Sequence, residues 1–264
     1  MTRALRFFSR RSSWALPYAI FLFCFVVLPL LLIVLYAFRD NQGHFTFYNF
    51  VMFFRQTEVL NTFIYSVGIG IITTILCILI GYPAAYILST SDLNKSKTTV
   101  LLFILPMWVN FLIRTLATVT LFEFIGVELG QGALLFGLTY DFLPFMIYPI
   151  YNTMMKIDKN LIEAAQDLGA NRMRVSTKVL LPLSKPGIIS GILMVFLPTI
   201  STFAISELLT MNNIQLFGSV IQTYIMQSDT MNYAAALSLI MLLIIGATTM
   251  FTGGDSDDET ATLI

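Results

Sequence analysis

Six stretches of this chain are each long and apolar enough to cross a lipid bilayer, at residues 14–38, 61–88, 99–122, 133–155, 187–208 and 232–252. A helix needs about 20 apolar residues to span roughly 30 Å of hydrocarbon. No water is available there for backbone N–H and C=O groups, so each stretch is expected to be helical. The expected fold is therefore all-α, a polytopic membrane protein with six transmembrane helices. Composition agrees: 57% of the 264 residues are hydrophobic and 11% charged, against about 25% charged in soluble domains. So few charges cannot cover a water-facing surface. The first stretch is longer than the 7–15-residue core of a cleaved signal, and no A-x-A site follows it. It is read as a retained span.

Charge placement gives an orientation. Arg3, Arg6, Arg10, Arg11, Lys95, Lys97, Lys156, Lys159, Arg172, Arg174, Lys178 and Lys185 fall on one side of the spans, and only Arg39 and Arg55 on the other. The basic side is expected to be cytoplasmic, with both termini inside and loops 39–60, 123–132 and 209–231 outside. The organisation expected is a basic segment 1–13, a six-helix domain 14–252 with a long cytoplasmic loop 156–186, and an acidic tail 253–264 read as disordered. Cys24 and Cys77 read as small buried hydrophobes. His44 is the single histidine, so no metal centre is expected.

The long loop carries the most specific pattern. Asp158 is placed to cap a short helix, in which Leu161, Ala165 and Leu168 recur at i, i+4, i+7. Gly169 supplies the left-handed residue that closes it. A second helix is expected from Asn171, ending before Pro182. This amphipathic pair suits either a soluble partner or the bilayer surface, and periodicity leaves both open.

The segment Glu163-Ala164-Ala165, three residues, Gly169, nine residues, Val179-Leu180-Leu181-Pro182 resembles the EAA loop of binding-protein-dependent ABC importer permeases, with Val179 in place of the usual Ile. Pro106 through Arg114, Leu143 through Tyr151 and Ser206-Glu207-Leu208 extend the resemblance to the polyamine (spermidine/putrescine) branch, from about Tyr48 to Tyr233. The acidic end of the chain departs from the short basic tail usual there. The resemblance implies the type I importer permease fold and a bacterial cell-membrane location. It also implies a helix that docks on an ATPase subunit through Glu163, Ala164, Ala165 and Gly169, with Leu181 and Pro182 completing the motif. Implied partners are two ATP-binding subunits, a second permease subunit and an extracellular or periplasmic polyamine-binding protein. No cofactor and no nucleic acid is expected.

Ionisable groups within spans are costly, about 2.5–3.5 kcal/mol for Arg or Asp on insertion scales, and mark functional candidates. Arg114 and Asp141 each lie eight residues from the outer end of a span, about 12 Å deep at 1.5 Å per residue. They form either a structural ion pair or part of the path. Asp141, Phe145 and Tyr148 share one face of span four, and Thr199, Phe203 and Glu207 one face of span five. Carboxylate beside aromatic suits an oligo-ammonium cargo. By resemblance, Glu207 holds the acidic position lining the polyamine path. Asn110 shares a face with Arg114, which can instead repel or release a cation.

No G-x-x-x-x-G-K-[ST] loop occurs, so the chain is expected to be no enzyme and to depend on a separate ATPase. Rival readings are a permease for a metal ion, oxyanion or phosphonate, which for an anion would present Arg or Lys to the path, or a stand-alone secondary transporter.

Overall fold

The computed structural model describes residues 16–90 and 98–261. The basic segment 1–13, Trp14, and Lys95 and Lys97 lie outside these. The described residues form twelve α-helical elements in chain order, with a further 3-10 turn at Ser228–Thr230. They are α1 Leu16–Ala37, α2 Tyr48–Arg55, α3 Thr57–Thr90, α4 Thr98–Ile104 with a 3-10 turn Leu105–Trp108, α5 Phe111–Ile125 and α6 Gln131–Met154. Then follow α7 Lys159–Asp167, α8 over 172–183, α9 Lys185–Ser201, α10 Ala204–Thr210, α11 Phe217–Met226 and α12 Met231–Ala261.

Four helices are each long and apolar enough to cross a membrane: α1, α3, α6 and Met231–Met250 of α12. Two bent pairs are also long and apolar enough when each is taken together; the second joins α8 to α9, whereas the expected span 187–208 runs α9 into α10. Thr99–Trp108 meets Phe111–Ile125 at 97°, and Met173–Leu183 meets Lys185–Ser201 at 69°. Counting each pair once gives up to six spans among the described residues.

The 97° bend corrects the expectation of one straight helix over 99–122. Pro106 ends α4 in the 3-10 turn, and Val109 is extended at ψ 134°. Asn110, at ψ 129°, then starts a new helix by accepting the Leu112 N–H at 2.8 Å, an N-cap bond. Span five differs similarly. α9 ends at Ser201, Thr202 is extended at ψ 145°, and α10 restarts at Ala204. Thr199, Phe203 and Glu207 therefore do not share a face of one helix.

Pro182 does not end α8 as expected. A π turn over Ser176–Leu180 precedes it, with the Leu181 N–H bonded to the Ser176 carbonyl. The widened register lets the chain pass a residue that lacks an N–H. α1 repeats the device: a π turn over Phe23–Val27, Leu28 N–H to the Phe23 carbonyl, then Pro29. The tail expected to be disordered is helical to Ala261, because extending a formed helix needs no new nucleus.

The chain divides into two compact units, one up to Thr57 plus Ile221–Leu243, the other Glu58–Val220 plus residues from Ile244. In the first, Asn49 Nδ2 donates to the carbonyls of Ala37 (3.0 Å) and Arg39 (2.9 Å), satisfying the end of α1. Ala37, Ala236 and Leu239 form its small core. Both cysteines are free; Cys77 is buried, whereas Cys24 is exposed on α1, contrary to the expectation for it.

The second unit is built around α6. Cys77, Ala85, Met146, Ile150, Met154 and Val195 form one core cluster; Ile69, Leu134, Leu138, Ile205 and Leu209 form another. Gly187 and Gly191 let α9 close on α6. A Cβ on Gly187 would meet the Pro149 carbonyl at 2.8 Å, and one on Gly191 the Met146 Sδ at 2.6 Å. Small residues four apart are the usual means of close helix approach in lipid, where packing replaces the hydrophobic drive.

Candidate functional site: a cavity between two helix breaks, and an exposed helix pair

The breaks at Val109 and Thr202 face one cavity of about 570 Å³. Trp108, Asn110 and Arg114 come from the α4–α5 break, Phe142 and Phe145 from α6, and Pro198, Thr202 and Phe203 from the α9–α10 break. Non-helical backbone is tolerated at membrane depth where it lines a cavity. Interrupted helices thus mark a place where polar backbone groups are available to a solute.

Of the residues expected on the substrate path, Asn110, Arg114, Phe145 and Phe203 meet at this cavity. Asp141 is 1% exposed and lies beside Arg114, with Oδ1 3.4 Å from Nε. The ion pair left open by the sequence is formed. Its geometry is loose. Arg114 Nη2 reaches the main-chain carbonyl of Asp141 at 3.4 Å, while Nε, Nη1 and Asp141 Oδ1 make no hydrogen bond. The Thr115 hydroxyl lies 3.0 Å from Asp141 Oδ2 and 2.9 Å from the Phe111 carbonyl, sharing its proton between them. The Arg114 Cζ also sits 5.8 Å from the centre of the Tyr140 ring.

Tyr148 is 41% exposed and Glu207 half-buried; neither lines the cavity. Glu207 stands in the first turn of α10, where the N-terminal end of the helix dipole favours a carboxylate. Sequence reasoning missed Thr115, Tyr140 and the break at Thr202. The run Pro198-Thr199-Ile200-Ser201-Thr202, a proline followed by residues that bond their own backbone, was the available signal for that break.

The second region is α7–α8. Asp158 caps α7 by accepting the Asn160 N–H at 3.0 Å. Gly169, at φ +83°, ends it with Ala170 N–H to the Ala165 carbonyl (3.0 Å) and its own N–H to the Gln166 carbonyl (2.8 Å). That pair of bonds is a Schellman motif. Asn171 then accepts the Arg174 N–H at 2.9 Å to begin α8. The apolar stripe points outward: Leu161 is 50% exposed, Leu168 90% and Met173 75%. Glu163 and Ala164 are exposed, and Ala165 is half-buried. Exposed apolar groups clustered beside charged ones are typical of a contact surface.

Several apolar helices, a cavity lined by two helix breaks and an exposed helix pair are features that a transport subunit needs. Comparison with known proteins gives its family. The model of the binding-protein-dependent transport system inner membrane component matches residues 81–252. The chain is 32% identical over 244 residues to the spermidine/putrescine transport system permease protein PotB of Haemophilus influenzae, covering 84% of this chain and 85% of that protein. It is 33% identical over 247 residues to the Escherichia coli protein of the same name, covering 84% and 89%. A chain from a bacterial ABC transporter that imports the acidic polysaccharide alginate superposes with TM-score 0.71 at 18% identity, over 97% of this chain and 99% of that one. A chain of the MetNI methionine ABC transporter gives 0.60 at 17% identity, over 71% and 89%. These two likenesses concern the fold. This chain belongs to the family of binding-protein-dependent transport system inner membrane components, multi-pass membrane proteins that work within an importer assembly.

Proposed function

We propose that this chain is the permease subunit of an ATP-driven importer for polyamines, working with two ATP-binding subunits, a second permease subunit and a binding protein. The observation that carries the reading is the match, over 84% of the chain, to permeases named for spermidine and putrescine. The cavity supports it: Trp108, Phe142, Phe145 and Phe203 offer faces to an aliphatic oligo-cation. Asp141, Glu207, Tyr148, Asn110 and Arg114 complete the path in this reading.

ATP closes the two ATPase subunits, and the α7 helices follow, opening the cavity to the loaded binding protein; hydrolysis resets it inward. Glu163, Ala164, Ala165 and Gly169 make the contact, with Leu181 and Pro182 holding the loop's exit. Both termini and this loop face the cytoplasm. The exposed stripe of Leu161 and Leu168 supports a partner over the bilayer surface, because Glu163 and Gln166 stand among the same exposed residues.

One observation favours a second reading. The charged side chain lining the cavity is Arg114 rather than a carboxylate, which suits an oxyanion or phosphonate. Uptake of labelled putrescine and spermidine by the complete subunit set, competed with phosphate, a phosphonate and manganese, separates them. Saturable polyamine uptake indifferent to these competitors is expected. Uptake of phosphate or phosphonate without polyamine uptake overturns the reading.

A further inference from the structure

A guanidinium on the wall of a cavity that receives cations calls for a physical account. The carboxylate that suits the cargo is present one layer deeper. Arg114 lines the cavity and Asp141, its ion-pair partner, does not; Nε and Nη1 of the guanidinium are buried. Charge-assisted N–H···O bonds run to about 2.7–2.9 Å, and here the closest approach is 3.4 Å with Nη1 and Oδ1 unbonded. Asp141 is tied down independently, by the Thr115 hydroxyl. Arg114 is also held by the Tyr140 ring, 5.8 Å from its Cζ, and an aromatic face attracts a cation.

We propose that Arg114 is a tethered stand-in for the cargo's ammonium group. In the empty cavity it neutralises Asp141. On loading, a primary ammonium of the cargo takes the carboxylate, and the guanidinium gives it up while keeping its place on the Tyr140 ring. The carboxylate is paired before and after, so it never stands bare in a low dielectric, which is costly; the cation left over is the guanidinium, which the Tyr140 face holds. The exchange selects for a cation that brings an apolar chain, since Phe142, Phe145 and Phe203 reward the chain and a bare inorganic ion gains nothing from them. An anion meets Asp141 as soon as Arg114 gives up the carboxylate. This rests on the polyamine reading above and names how that cavity recognises its cargo.

The test uses the complete transporter in proteoliposomes at saturating loaded binding protein, reading cargo moved per ATP hydrolysed. The double variant Arg114→Met/Asp141→Leu replaces the buried pair by apolar groups, which folded proteins commonly accept. It should assemble and hydrolyse ATP yet move at least about tenfold less polyamine per ATP, the scale of losing a buried charge contact. Tyr140→Leu, at a residue 43% exposed, should lower the ratio about threefold or more, and Tyr140→Phe, which keeps the ring, should preserve it. A wild-type ratio in the double variant, or indifference to loss of the Tyr140 ring, overturns the exchange and leaves the polyamine reading standing. Absence of polyamine uptake by the wild-type transporter, with ATP turnover intact, removes the polyamine reading and this proposal with it.

Discussion

Asp40 shows how single residues hold the turns of this chain. Its carboxylate is kept below the ordinary carboxylate range first by the His44 backbone N–H, at 2.8 Å, then by that of Gln42, at 2.9 Å. A lowered folded pKa means the contribution is whole above the unfolded value near about 4 and is lost as pH falls below it. Amide exchange at His44 should therefore quicken in acid relative to helix-core amides. Asp158 acts similarly at α7. Asp158→Ala removes one cap bond, worth about 1 kcal/mol, and exchange at Asn160 should rise about fivefold. Gly169→Val forces a left-handed β-branched residue, at about 1–2 kcal/mol. Transport-coupled ATP turnover should fall while the protein stays inserted. Unchanged turnover would remove this turn from the contact with the ATPase. Asp158 and Gly169 were readable in the sequence, as caps and turns depend on nearest neighbours; the Asn110 cap was not, because it lies inside an apolar stretch read as one span.

Helices are shaped by what interrupts them. Two Leu-Pro-Leu sequences, at Leu28 and Leu181, each follow a π turn; a proline rule predicts a helix end there, and the widened register evades it. Breaks at Val109 and Thr202 were not legible from hydropathy, because an interrupted span is as apolar as a straight one. Close approach of α9 to α6 is testable at its glycines. Gly191→Leu should destabilise the protein by about 1–3 kcal/mol through overpacking, read as a lower unfolding midpoint in mixed micelles. Gly68, where an added Cβ meets nothing within 4 Å, is the control. Gly68→Ala should be neutral or stabilising, by up to about 1 kcal/mol. Equal effects at both glycines would mean that packing at Met146 does not limit the approach.

The molecule as a whole is a membrane importer subunit whose orientation can be measured directly. In a protein carrying Cys24→Ala and Cys77→Ala, a Glu163→Cys variant should react with an impermeant maleimide only from the cytoplasm, and Glu123→Cys only from outside. Labelling of position 163 from outside would reverse the topology and detach the loop from any ATPase.

Span number, the face bearing basic residues and the Glu-Ala-Ala loop are written along the chain, because lipid solubility, charge and a short motif are properties of consecutive residues. The fold class and the importer family followed from them. Pairing of Arg114 with Asp141, the neighbouring Thr115 and Tyr140, and the meeting of two helix breaks at one cavity depend on residues that packing alone brings together. Glu207 and Tyr148 sit at promising spacings yet stand off that cavity, since a helical period says which residues share a face but not what the face meets.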